Sequence, residues 1–287
     1  MAPKDKREPR PYRGVNDEIR EQTQKMKDMT LKGKLSYFWH YYKVHTFVTV
    51  LILCVIINLV VTVVTKKDTA FYGVMLNAYM LDRATMETKF GDYIGIDTET
   101  AECLIDTDSS FSYQTMSEFD VATNQQMVAL IQSRDLDACV LNDQVFFNYS
   151  FNGMMADLRE YLSEEDLELH KDRLYYIDLA AIRRAEENPI TYEEMMEEAE
   201  IRRDATLEDI IAEADTHRDP STMEEPVPVG IFLEDSPFIQ KTNSYPGRVP
   251  IFGIAGTTKR PEVCIQYLHF LFDENIPFEE AIAESIF

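Results

Sequence analysis

"LDACVLNDQVFF" (residues 136–147) is the stretch on which the fold turns. Ala138 to Leu141 form an unbroken apolar run, followed at once by Asn142, Asp143 and Gln144. A short apolar run closed by polar residues reads as a strand buried on both faces, ending at those three positions. Upstream, "TAFYGVMLNA" (residues 69–78) has the same character and closes on Asn77. Between the two, "ECLIDTDSSF" (residues 102–111) reads as a strand running into a polar turn from Asp106 to Ser110. "DRATMETKFGDYIGI" (residues 82–96) predicts a helix with Gly91 and Gly95 near its end. "TNQQMVALIQSRD" (residues 123–135) predicts a second helix, opened by a capping box of Thr123 and Gln126. Strands alternating with helices predict an α/β fold with a mixed or parallel sheet covered by helices.

Downstream, "NGMMADLREYLSEEDLELHKDRLYYID" (residues 152–178) predicts a helical turn, a Ser163 cap and another helix. Residues 183–226 read as an acidic helical excursion on the surface. Helix starts are expected at Thr191 with Glu194 and at Thr206 with Asp209, and residues 193–225 hold 13 acids against 3 arginines. "VPVGIFLEDS" and "VPIFGIAGTT" (residues 227–236 and 249–258) return to strands. "RPEVCIQYLHFLF" (residues 260–272) is a helix with Pro261 in its first turn, and "PFEEAIAESIF" (residues 277–287) predicts a last helix.

The N-terminal side has a different solvent. From Phe47 to Val64 the sequence has no charge, and Asn58 and two threonines are its only polar residues. Eighteen residues at about 1.5 Å each give about 27 Å, near the thickness of a hydrocarbon core. Tyr37, Phe38, Trp39, Tyr41 and Tyr42 precede the run, as an aromatic belt at the headgroup level would. No small-x-small site follows it, so an uncleaved signal-anchor is expected. The chain carries 28 basic and 51 acidic residues. Of these, 13 and 6 lie in residues 1–67, leaving 15 and 45 for residues 68–287. The positive-inside rule then predicts a cytoplasmic N-terminus and an extracellular C-terminal domain in the cell membrane. The expected division is a basic cytoplasmic tail with a juxtamembrane aromatic segment (residues 1–45), a transmembrane helix (46–65) and an acidic extracellular α/β domain (68–287). Asn58 either hydrogen-bonds a second helix or is a tolerated amide. The lipid bilayer is one expected partner. Nucleic acid is excluded, because the tail lacks interleaved aromatics and the domain would repel phosphates.

Motifs for chemistry are scarce. There is no GxSxG, HExxH, P-loop or GxGxxG, and the chain is not expected to be an enzyme. Neither a cofactor nor a metal is expected. "DTDSS" (residues 106–110) clusters oxygen ligands but matches no EF-hand loop, and reads best as a capped turn. His170 and His217 read as solvated and His269 as a hydrogen-bonded core histidine. Cys139 and Cys264 read as small buried hydrophobes, with one disulfide among Cys103, Cys139 and Cys264 left open. The geometric argument for a ligand is stronger. In open α/β sheets ligands bind beyond the carboxyl ends of strands. If the strands are parallel neighbours, Asn77, Asp106, Asp108, Ser109, Asn142, Asp143 and Gln144 lie along one edge as a candidate small-molecule site. Phe146, Phe147, Tyr149 and Phe151 are nearby candidates for stacking surfaces. The competing expectation is that these aromatics fill the core and the polar groups only end strands.

"DLDACVLNDQVFFNYSFNGMMADLREYLSEEDLE" resembles a phrase of the extracellular solute-binding proteins of bacterial transporters. There a strand ends in a polar turn, and a helix, a glycine, a "DL" pair and an acidic helix cap follow. "PVGIFLEDSP" with "GIAGTTKRPEVCIQYLHFLF" resembles that family's return strand and C-terminal helix. "KLSYFWHYYKVHT" resembles the N-termini of uncharacterised single-pass proteins of Gram-positive bacteria. The resemblance implies a reduced periplasmic-binding-protein-like domain that binds a small ligand or a membrane or cell-envelope protein. The family is usually longer, with two full lobes and a lipidated cysteine, and neither is visible here. The alternative is a structural or assembly component of a membrane complex with no small-molecule ligand.

Overall fold

A computed structural model describes residues 20, 24, 30–64, 66–112, 117–189 and 205–283. Most of the basic tail before residue 30, residues 190–204 of the acidic segment including the expected Thr191 helix start, and the last residues of the expected C-terminal helix lie outside these. So do the side chains of Tyr37, Phe38 and Tyr41.

The first unit, Met1–Lys66, contains the helix α1 (Leu31–Val64), whose stretch Tyr42–Thr62 is long and apolar enough to cross a membrane. Val, Ile and Thr are weak helix formers in water. In lipid the backbone has no other hydrogen-bond partners, and the helix becomes the only solution. Its large side chains described from Val44 to Val61 are exposed, and Trp39 stands exposed before them. The Asn58 amide donates to the Cys54 carbonyl at 3.1 Å, and the Thr62 hydroxyl donates to the Asn58 carbonyl at 2.8 Å. Both bonds stay within the helix.

The second unit spans Lys67–Phe287. Its mixed sheet has six strands, β1 (Asp68–Met75), β2 (Ala101–Asp106), β3 (Ala138–Asn142), β4 (Leu174–Asp178), β5 (Pro226–Phe232) and β6 (Pro250–Ile254), in the spatial order β2-β1-β3-β6-β5-β4. β1 runs parallel to both β2 and β3, while β6 is antiparallel to β3, β5 to β6 and β4 to β5. The carboxyl ends of β1, β2, β3 and β5 therefore share one edge, which is also where β6 begins.

Helices cover both faces. On one, α2 (Arg83–Ile94) brings Met86 and Phe90, α8 (Pro237–Thr242) brings Phe238, and α9 (Pro261–Phe272) brings Tyr267, Leu268 and Leu271 onto Phe71, Val140 and Phe252. On the other, α3 (Glu118–Ser133), α4 (Asp143–Phe151) and α7 (Leu207–Thr216) cover Val74, Cys139 and Ile251. The connection from β1 to β2 leaves β1 in one direction. The connection from β2 to β3 passes back beyond it in the other. The strand order thus reverses between β1 and β3, the crevice where open α/β sheets bind ligands. Two short helices, α5 (Glu164–Leu169) and α6 (Leu179–Glu187), flank β4.

Local expectations fail in four places. α3 starts at Ser117, not Thr123: Ser117 and Asp120 form the capping box, and Asp120 also accepts the Ser112 N–H at 2.8 Å. That added anchor favours the earlier box. Asp143 and Gln144 do not end β3 but open α4. "LYYID" is an edge strand, β4, where helix was expected, because it pairs with β5 from Leu174↔Ile231 to Asp178↔Pro226. The acidic excursion is not wholly a solvated surface, since α7 buries Ala214. The Thr206–Asp209 box does open α7, and Pro261 opens α9. Of the expected last helix, Phe278–Ala281 is a short 3-10 turn.

All four cysteines are free, and Cys103, Cys139 and Cys264 are buried. Burial pushes the Cys103 and Cys264 thiols up to about 12, so neither supplies a thiolate near neutral pH.

Candidate functional site

β1 ends in a turn at Leu76 and Asn77. Asn77 adopts φ 65°, a left-handed conformation that asparagine tolerates better than most residues. Its side chain acts as a substitute strand. Nδ2 donates to the Phe111 carbonyl at 2.9 Å and Oδ1 accepts the Phe111 N–H at 3.0 Å. Nδ2 also donates to Asn142 Oδ1 at 2.9 Å, which bridges the ends of β1 and β3 across the reversal point. Asn142 is the N-cap residue of α4, yet makes no side-chain cap. Its oxygen accepts from Asn77, and its amide nitrogen makes no hydrogen bond among the described residues.

Beside this bridge lies a cavity of about 140 Å³. Asn77, Asn142, Asp143 and Gln144 line it with Phe111, Ile210 and Arg248. Arg248 belongs to the connection entering β6, and its Nη1 donates to the Asn77 carbonyl at 3.0 Å. Gly247 before it has φ 68°, a conformation that suits glycine. The Gln144 amide nitrogen is buried in the wall without a hydrogen-bond partner among the described residues. Asp143 is only 2% exposed and its backbone N–H is anchored to the Val249 carbonyl. Burial first, and then the nearby Asp143 charge, raise the pKa of the Tyr175 hydroxyl.

Four of the seven residues expected at the site thus share the cavity, and Asp106, Asp108 and Ser109 do not line it. Asp106 Oδ1 accepts the N–H groups of Asp108 and Ser109 at 3.0 and 3.2 Å, and Oδ2 accepts the Ser109 hydroxyl at 2.6 Å. This closed turn satisfies itself and offers the Ser109 carbonyl to the Asn77 N–H. It shapes the loop rather than the ligand surface. Among the described residues no cluster of three or more His, Cys, Asp or Glu could hold a metal ion. None of the four aromatics lines the cavity, and two fill the core as the competing expectation had it. Phe146 and Tyr149 are buried in the core, and Phe147 packs on Phe151 and His217. Arg248 was legible in principle. β6 is antiparallel to β3, so the residues just before it must return to the edge where β3 ends.

A second cavity, of about 650 Å³, is bounded by His170, Arg173, Asp235, Lys241 and Phe272. Its charged groups Arg173, Asp235 and Lys241 are already engaged. Arg173 clasps Asp235 with bonds of 2.5–2.8 Å, and Lys241 donates to the carbonyls of Glu274 and Ile276. His170 is not solvated as expected but 2% exposed, 4.6 Å from the Phe272 ring, with neither ring nitrogen hydrogen-bonded. His217 is half-buried too, stacked on Tyr175 at 4.4 Å with Nδ1 2.8 Å from the Tyr176 carbonyl. His269 is 2.8 Å from Asp166.

Burial, and then the Arg173 charge, push the His170 pKa from 6.5 down to about 4. Asp166 and Asp235 pull it up and His269 pushes it down, by smaller amounts. The unfolded chain takes up this proton near pH 6.5, whereas the folded chain refuses it until about pH 4. Stability from this group is complete above pH 6.5 and is lost as pH falls toward 4. Between pH 7 and 5 that loss is about 2 kcal/mol. In urea unfolding of the full chain, His170→Leu is expected to lose correspondingly less stability over this interval than the wild type. Equal pH slopes would refute the assignment.

No family model, no curated protein and no solved structure matches the chain.

Proposed function

We propose that this chain is a membrane-anchored solute-binding protein. α1 holds it in the bilayer with the basic tail on the cytoplasmic side. The acidic α/β domain stands outside as a reduced, single-lobed relative of periplasmic binding proteins, and takes a small molecule by binding, not by catalysis. The observation that carries this reading is the cavity between β1 and β3. It lies at the reversal of strand order and is walled by side chains from both strand ends. The excess of Lys and Arg in the tail supports the orientation.

A specific observation favours a second reading, a structural or assembly role for the domain without a small ligand. The Asn77 amide is fully used in holding Phe111 and Asn142, so part of the polar wall has a structural task.

The two separate in a thermal-shift screen of the full chain in phosphatidylcholine nanodiscs, against small carboxylates, phosphates, sugars, dipeptides and neutral polyols. A rise of a few degrees with one chemical class is expected. Silence across all classes, with a membrane protein co-purifying, would favour the assembly role. Protease added to intact cells should remove the domain, and its survival there would overturn the orientation.

A further inference from the structure

We propose that the ligand of the β1–β3 cavity carries an oxyanion, a carboxylate or phosphate group, and that Arg248 is the residue that binds it. This rests on the reading of that cavity as a binding site and names the chemistry the site selects.

The outer domain has three acids for each base, and its arginines show what that ratio does. Arg83 pairs with Glu87, Arg159 with Asp157, Arg173 with Asp235, Arg183 with Glu225, Arg184 with Glu224, Arg218 with Asp215 and Glu234, and Arg260 with Asp137. Among the described residues of this domain only Arg134 and Arg248 have no acid partner. Arg134 is the exposed left-handed cap at the end of α3. Arg248 lines the cavity, tethered there by one bond to a carbonyl, with the rest of its guanidinium fork uncommitted. In so acidic a surface, a guanidinium kept from carboxylates and set on a cavity wall is a receptor for an incoming anion. Guanidinium matches carboxylate and phosphate geometry through paired N–H donors.

The neighbouring groups have the same polarity. Asn142 lines the cavity and gives its oxygen to Asn77, while its amide N–H groups make no hydrogen bond among the described residues. Gln144 has an amide nitrogen without a partner in the wall. Asn142 precedes and Gln144 lies within the first turn of α4, which has no side-chain cap from Asn142 and whose Asp143 N–H is taken by the Val249 carbonyl. Among the described residues Asp143 is the one acid in the wall. It is buried beside Tyr175, so its charge meets the ligand less directly than that of Arg248 does. Size limits the ligand: about 140 Å³ is close to a volume that accepts benzene, so roughly six to eight non-hydrogen atoms fit.

The test is calorimetric titration of the full chain in phosphatidylcholine nanodiscs, whose lipid has no net charge. One arm uses acetate, lactate and succinate. A second uses inorganic phosphate and methyl phosphate. The third uses the neutral counterparts acetamide, lactamide, succinamide and trimethyl phosphate. At least one anion should bind saturably, at least tenfold tighter than its neutral counterpart, and the arm that binds identifies the group. Arg248→Gln and Gln144→Leu should each weaken it, the arginine change by at least tenfold, while Arg134→Gln leaves it within twofold. Arg248 and Arg134 are exposed, so both variants should melt with the wild type. If neutral counterparts bind as well as anions, or Arg248→Gln changes affinity less than twofold, the oxyanion inference is wrong and the cavity remains a binding site. If no anion binds, the inference is also wrong. The binding reading then stands only if another class stabilises the chain in the wider screen.

Discussion

Replacing Asp137 with alanine is expected to cost the α/β domain about 3–5 kcal/mol, because it leaves a largely buried arginine without its counter-charge. Asp137 is fully buried immediately before β3, at the edge of the sheet opposite the cavity. Its Oδ2 accepts the Tyr72 N–H and Arg260 Nε, each at 2.8 Å, and its Oδ1 accepts the Thr258 hydroxyl at 2.6 Å. Arg260 also donates to the carbonyls of Thr69 and Asp135 at 3.1 and 3.0 Å. One carboxylate therefore ties β1, β3 and the entry to α9 together. For a domain of this size the melting temperature should fall by roughly 10 °C. Asp137→Asn keeps most of the shape but removes the charge, and should fall between alanine and wild type. Asp135→Ala, a neighbouring surface acid, should stay within about 0.5 kcal/mol. An Asp137→Ala chain melting within 2 °C of wild type would show that the clamp is dispensable.

The sheet and the clamp differ in how far the sequence discloses them. β1, β2, β3, β5 and β6 are short apolar runs closed by polar residues. Burial on both faces imposes that pattern on β1, β3, β5 and β6, and β2, at the other edge of the sheet, still buries Cys103 and Ile105 and ends in a polar turn, so they are legible from local sequence. β4 is not, because an edge strand of five residues carries a mixed pattern and is fixed only by pairing with β5. The convergence of Asn77 and Asn142 follows once β1 and β3 are taken as parallel neighbours. Local sequence cannot reveal that Asp106 is closed on its own turn or that Asp143 begins a helix, and Arg248 becomes legible only once β6 is taken as antiparallel to β3. The first two depend on which backbone groups tertiary contacts leave unsatisfied. The buried state of His170 and His217 was hidden for the same reason. Acidic neighbours in sequence made both look solvated, while their burial comes from Phe272 and Tyr175.

Phe146 carries the same lesson and the second large effect. Met155 apart, the ring rests on two glycines that face each other across β5 and β6, Gly230 and Gly253. A Cβ built on either would lie 2.5 Å from the ring, far inside contact distance. The ring also meets Tyr175 edge-on at 5.0 Å. The absent side chains make a slot in the sheet, and Phe146 fills it from α4. Phe146→Ala is expected to cost about 3–5 kcal/mol. Gly253→Ala in the wild type should cost about 1–3 kcal/mol by overpacking. With the ring gone, the same glycine change should become neutral or stabilising by a few tenths of a kcal/mol, since alanine suits a strand better and the Met155 side chain is free to adjust. Urea unfolding of the two single variants and the double variant measures this coupling. Additive effects would mean that the ring and the glycines do not depend on each other. The ring sits two residues after Gln144, so it also holds the first turn of α4 against the sheet. Phe146→Ala should therefore weaken any ligand of the cavity even where the chain remains folded. Gly253→Ala combined with it should recover stability more fully than affinity, because alanine fills space in the slot without re-anchoring the helix that carries Gln144.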